Sequence, residues 1–104
     1  MFWLICCNNF FMYTIRRSKD FEVSARRLKH SGIKVSIKNK IEQTIDLLAS
    51  GQRLPPNYKD HSLSGELSKY RECHIKGDLL LIYKIEKKDL VLLLVDIGSH
   101  SQLF

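Results

Sequence analysis

Three of the chain's four histidines, His61, His74 and His100, fall in its second half, in loops or at the ends of expected strands. Those are the places where a rigid scaffold presents reactive groups. Imidazole both gives and takes protons near neutral pH, and Asp78 follows His74 by four residues. No pair of residues has the C-x2-C or H-x3-H spacing of a zinc site. The carboxylates form no clear cluster for Mg²⁺. No elbow motif supports a Ser or Cys nucleophile, and no Gly-rich phosphate loop is present. What remains is acid–base chemistry without a metal or cofactor. RNA phosphodiester cleavage suits it, because the substrate supplies its own nucleophile, the 2′-OH. The protein then adds only a base, an acid and positive charge for the phosphorane. Unrelated surface histidines would have the same spacing, so convergence in space decides between the two.

The elements that must position these residues can be read from periodicity. A short strand is expected near Tyr13–Arg16. Ser18 then suits a helix N-cap, and Phe21, Ala25 and Leu28 recur at helical spacing until Ser31-Gly32. A second helix is expected from Val35 to Ser50, with Ile37, Ile41, Ile45 and Leu48 on its buried face. Gly51 ends it, and Pro55-Pro56 prevents its resumption. The stretch from Asn57 to Lys69 is polar and turn-rich. Three strand-like runs follow, Tyr70–Ile75, Leu79–Ile85 and Leu90–Ile97, with connections of hairpin length. Alternation puts Tyr70, Glu72 and His74 on one face of the first run, and Arg71, Cys73 and Ile75 on the other. The expected fold is α+β in the order β-α-α-β-β-β, with two antiparallel helices on a small sheet.

A chain of 104 residues fits one domain. With 44% hydrophobic and 27% charged residues, its composition is that of a globular protein, which excludes disorder, collagen-like repeats and coiled coil. No apolar run approaches the ~18 residues of a spanning helix, so no membrane role is expected. The net charge of +6 is unevenly placed. Residues 16–40 hold nine Lys or Arg against two acids, whereas residues 41–104 hold eight against nine. A positive face of this kind attracts RNA or an acidic partner segment.

The three cysteines are odd in number, and the adjacent Cys6-Cys7 cannot easily bridge to itself. Free thiols in a reducing compartment, the cytoplasm, are expected. Residues 1–11 are apolar and aromatic, are broken by Asn8-Asn9, and lack both a basic n-region and a cleavage site. They are expected to be an extension upstream of the true start at Met12, leaving residues 12–104 as the domain.

Four segments carry a family resemblance: Tyr58-Lys59-Asp60-His61-Ser62-Leu63-Ser64-Gly65, then Tyr70-Arg71-Glu72-Cys73-His74-Ile75 with Asp78, then Leu80-Leu81-Ile82-Tyr83-Lys84, and finally Gly98 to Phe104. Together they resemble the YafQ-type toxins of the RelE/ParE superfamily, over about Met12 to Phe104. The resemblance implies a RelE-like fold and a ribosome-dependent mRNA endonuclease, the toxin of a type II toxin–antitoxin pair, held inactive by a cognate antitoxin. It implies catalytic positions at His61, His74, Asp78 and His100. His100 would be the acid for the 5′-OH leaving group, and Asp78, His61 or His74 the base. Phe104, Lys59, Arg71 and Lys76 would contact substrate, and Arg16, Arg17, Lys19, Arg26, Arg27 and Lys29 would face ribosomal RNA.

Two positions depart from the family pattern. Leu79 stands where many relatives have Trp, and Asp96 stands where members often carry an Arg suited to the phosphorane. Loss of one such donor typically costs ~10²–10³ in rate, so weakened cleavage is expected. The alternative is a non-catalytic RelE/ParE module, either a co-repressor with its antitoxin or a toxin acting on another target such as gyrase. The set of three histidines favours cleavage.

Overall fold

A computed structural model describes residues 12–104; the expected extension at 1–11 lies outside the described residues. The first strand, β1 (Thr14–Arg17), is followed by helices α1 (Lys19–His30) and α2 (Val35–Ala49). Then come β2 (His61–Ser62), β3 (Arg71–Lys76), β4 (Leu79–Glu86), β5 (Val91–Ser99) and a final turn of helix, α3 (His100–Leu103). The strands form one sheet in the order β1-β5-β4-β3-β2. β1 runs parallel to β5, and every other neighbouring pair is antiparallel.

The α+β plan is the expected one, with two additions. Residues 57–69, read as polar loop, contain the two-residue strand β2 and a 3-10 turn at Gly65–Leu67, and a second such turn, Pro56–Tyr58, leads into them. His100, expected in a loop, opens α3 instead. Neither element is long enough to leave a periodic signal.

Ser18 caps α1 as its position predicts: its Oγ accepts the Phe21 N–H at 3.0 Å and donates to the Val95 carbonyl. That carbonyl belongs to a bulge in β5, where Ile82 pairs with Asp96 but Tyr83 with Leu94. The chain leaves α1 through Gly32 and α2 through Gly51, both at positive φ, where a side chain would be strained.

The core lies between the helices and one face of the sheet. Phe21, Leu48 and Ala49 meet Cys73, Ile75, Leu81, Tyr83, Leu92, Leu94 and Ile97. On α2 the buried stripe is centred on Thr44, Leu48 and Ala49, while Ile37, Ile41 and Ile45 are only half-buried. Thr44 tolerates full burial because its hydroxyl donates to the Lys40 carbonyl one turn back. Cys73 is a free thiol with no exposure, and burial pushes it up to about 12.

Candidate active site

The register of the antiparallel ladder assembles the site from residues distant in sequence. His61 on β2 pairs with Glu72 on β3, and His74 on β3 pairs with Leu80 on β4. Leu80 in turn pairs with Gly98, and Leu79 with Ser99, on β5. The imidazoles thus arrive from the edge strand, from its neighbour and from the end of β5.

Glu72 is the hub. His61 Nε2 lies 3.6 Å from its Oε1, and His74 Nε2 lies 3.7 Å from the same oxygen. The two rings are 6.5 Å apart. The Glu72 side chain is only 6% exposed, whereas those of His61 and His74 are 52% and 31% exposed. A buried carboxylate needs positive charge or hydrogen bonds beside it, and here it can pair with whichever imidazole carries the extra proton. Parity had placed Glu72 beside His74 on one face. Its second partner was hidden because β2 gives no signal of its own.

The other half of the site is the chain's last turn. The Ser99 side chain accepts the Gln102 N–H, and the Gln102 side chain accepts the Ser99 N–H at 2.9 Å, a reciprocal capping box. Asp78, in the β3–β4 turn, accepts the His100 backbone N–H at 3.3 Å. The His100 ring lies 5.1 Å from that of Phe104. Gly98 has room for this arrangement because it lacks a Cβ, which would stand 2.8 Å from Gln102 Oε1.

An open cleft of about 340 Å³ is lined by His61, Ser62, Leu63, Ser64, Glu72, His100 and Phe104. His74 borders it through Glu72, and Asp78 through His100. Of the four residues expected to share a hollow, His61 and His100 line it, and His74 and Asp78 stand behind it, each one contact away. No Lys or Arg is among the residues lining the cleft. Among the described residues, no three His, Cys, Asp or Glu side chains gather to hold a metal ion.

The expected substrate cations sit elsewhere. Arg71 and Lys59 line a different cavity, of about 570 Å³, with Asp60 and Tyr83. Strand alternation explains this, because Arg71 must face opposite to Glu72. Its guanidinium is occupied by Asp60, at 3.2 Å from both carboxylate oxygens, and that contact raises it above its ordinary value. Lys76 is exposed at the end of β3. Arg16, Arg17, Lys19, Arg26, Arg27 and Lys29 are all exposed on β1 and α1. Arg27 shares a pocket with Gln102, two residues beyond His100, so the basic surface reaches the last turn. Asp96 is turned to α1, where its Oδ1 accepts from Ser24 Oγ at 2.6 Å and from the Ile97 N–H at 2.8 Å.

A family model for YafQ, the bacterial toxin of a type II toxin–antitoxin system, matches residues 13–104. The chain belongs to the YafQ family. The Escherichia coli K12 mRNA interferase toxin YafQ is 34% identical over 93 residues, spanning 88% of this chain and 91% of that relative. A metal-bound toxin from Helicobacter pylori superposes with a TM-score of 0.79 at 43% identity, covering 88% of this chain and 99% of the other. YafQ from the E. coli DinJ–YafQ toxin–antitoxin complex gives 0.78 at 30% identity, covering 89% and 98%. This YafQ-family chain thus has the fold of solved toxins, and its imidazole cleft lies in the matched region.

Proposed function

We propose that the chain is an mRNA interferase that cuts message on the ribosome by transesterification, leaving a 2′,3′-cyclic phosphate and a 5′-OH. The observation that carries the reading is the cleft in which His61, Glu72, His100 and Phe104 meet. A pure binding module has no need of imidazoles gathered on one buried carboxylate.

His61 is the base in this reading. Its Nδ1 lies 2.7 Å from the Lys59 carbonyl, an acceptor, so Nδ1 carries the proton and Nε2 of the neutral ring is free to take one. It removes the proton of the 2′-OH as the 2′-oxygen attacks phosphorus. The bond from phosphorus to the 5′-oxygen then breaks, and His100 delivers a proton to that oxygen. The proton taken up stays on His61, whose imidazolium beside Glu72 supplies positive charge where the cleft has no Lys or Arg, while His74 shares the same carboxylate. Phe104, 56% exposed beside His100, offers a base a surface on which to stack.

The H. pylori relative is metal-bound. The donor set here does not gather for a metal, and no step is routed through one. Asp96 supplies no cation, which leaves cleavage weaker than in relatives with Arg at that place. Its carboxylate, engaged by Ser24, does not oppose the phosphorane. The exposed cations of β1 and α1 meet ribosomal RNA phosphates, and a cognate antitoxin holds the protein inactive; the E. coli YafQ relative is found in complex with the antitoxin DinJ.

The test is incubation of purified protein, stripped of metal with EDTA, desalted and free of antitoxin, with translating ribosomes and with naked message in a Mg²⁺ buffer. Cleavage only with ribosomes, with 5′-OH ends, and its loss in His100→Ala are expected. Intact message with the wild-type protein would refute the reading.

A further inference from the structure

On the sheet face opposite the imidazole cleft, Asp60 sits in a network that the proposed chemistry does not use. Arg71 donates to its Oδ1 and Oδ2, and the Tyr83 hydroxyl donates to its Oδ1. Tyr83 is 1% exposed and belongs to the core cluster, so this partner cannot move without disturbing the sheet. Burial, and then the neighbouring carboxylate, push the Tyr83 hydroxyl up, which keeps it a donor. Asp60 is thereby fastened to β3 and β4 from behind.

The next residue along the chain is His61, and the residue before is Lys59, whose backbone is left-handed at φ 51 and ψ 42. That conformation is uncommon for a residue with a Cβ and persists where the surroundings enforce it. Its consequence is specific, because the Lys59 carbonyl reaches His61 Nδ1 at 2.7 Å. β2 itself offers little restraint: it is an edge strand of two residues, paired only as His61↔Glu72 and Ser62↔Arg71. Something else must hold its entry.

We propose that Asp60 is a positioning residue for His61. Its bonds to Arg71 and Tyr83 hold the Lys59–His61 segment so that the Lys59 carbonyl fixes the orientation and tautomer of the ring. A network packed against the helices thus sets the lone pair of an imidazole on the other face of the sheet. The assignment rests on His61 acting as the base, but its structural half stands apart from cleavage.

The experiment combines imidazole ¹⁵N NMR with message cleavage in Asp60→Ala and Tyr83→Phe. In the wild type, His61 should show one tautomer, protonated at Nδ1. Both variants should mix the two tautomers at His61 and leave the nitrogen signals of His74 and His100 unchanged. The kcat should fall about 10²-fold, as for a misplacement of about 1 Å, with KM held to within about two-fold. Asp60→Asn keeps an acceptor for Tyr83 and should retain more activity than Asp60→Ala. Unchanged His61 signals in folded Tyr83→Phe would overturn the proposal, as would equal shifts at all three imidazoles or a loss confined to KM. Should Asp60→Ala fail to fold, Tyr83→Phe decides alone. Were the wild-type protein to cut no message, the nitrogen signals would still decide the positioning, and the cleavage reading would fall separately.

Discussion

Leu79 is the cross-strand partner of Ser99, and this pairing brings Asp78 alongside His100, 22 residues away in sequence. The contact is between the Asp78 carboxylate and the backbone N–H of His100, not its ring. A single helical turn at a chain end has no stability of its own. Asp78 and the Ser99–Gln102 capping box hold this one together.

The role of Asp78 can therefore be told from its substitutions. Asp78→Asn keeps an oxygen that accepts the His100 N–H, and it should cleave message within a few-fold of wild type. Asp78→Ala loses the acceptor and should fall about 10²-fold through misplacement of His100. If Asp78 were instead the base on the 2′-OH, Asn would be as damaging as Ala in a single-turnover cleavage assay.

Asp96 gives a second test. Removing its carboxylate leaves the Ser24 hydroxyl and the Ile97 N–H without their acceptor, at a cost of about 2 kcal/mol. Asp96→Ala should show that loss in urea unfolding, with the cleavage rate of the folded protein unchanged. Asp96→Arg should raise cleavage, because it supplies a donor the cleft lacks. A fall in the rate of folded Asp96→Arg would mean that the carboxylate itself serves the site.

Long elements with a regular period were legible in the sequence; of the residues singled out for chemistry, His61, His100 and Phe104 line one cleft. Phe21, Ala25 and Leu28 announced α1, and the alternation through Tyr70–Ile75 correctly put Cys73 inside and His74 with its polar neighbours. What stayed hidden depends on pairings that composition does not encode. Two residues of β2 carry no period, yet their pairing with β3 is what sets His61 on Glu72. The family resemblance made Arg71 a substrate contact although alternation already set it opposite Glu72 and His74, and on that other face Asp60 claims it. The Ser99 and Gln102 cap went unread because His100 was expected in a loop, and the Asp78 turn beside it is brought there by three-dimensional register.

Cys73 should be inert. A thiol pushed up to about 12 by burial is almost wholly protonated at pH 8, and it is the thiolate that reacts. In a Cys6→Ser/Cys7→Ser background, a thiol-specific disulfide reagent should label the native protein slowly and the urea-unfolded protein at once. The raised value also fixes a pH dependence. An acid whose folded value lies above its unfolded one favours the folded state while both forms are protonated. That advantage shrinks as pH climbs through the unfolded thiol value near 8.5, so above pH 9 stability should fall less steeply with pH in Cys73→Ala than in the parent. The comparison is of the slopes of stability against pH, since the cavity left by the truncation lowers both ends of the curve.

The basic surface makes a prediction about salt. Arg26 and Arg27 are exposed on α1, and Arg27 borders the pocket that Gln102 closes. If both arginines meet ribosomal RNA phosphates, each releases roughly one counterion on binding, with a slope of about −0.9 per contact in log affinity against log salt for a duplex. Arg26→Ala/Arg27→Ala should therefore weaken binding to ribosomes most strongly at low salt and flatten that slope by about two units. The cleavage rate at saturating ribosomes should stay at the wild-type level, because neither side chain lines the imidazole cleft. An unaltered salt slope would move the RNA contact elsewhere, with Arg16 and Arg17 on β1 and Lys19 at the start of α1 the next to replace.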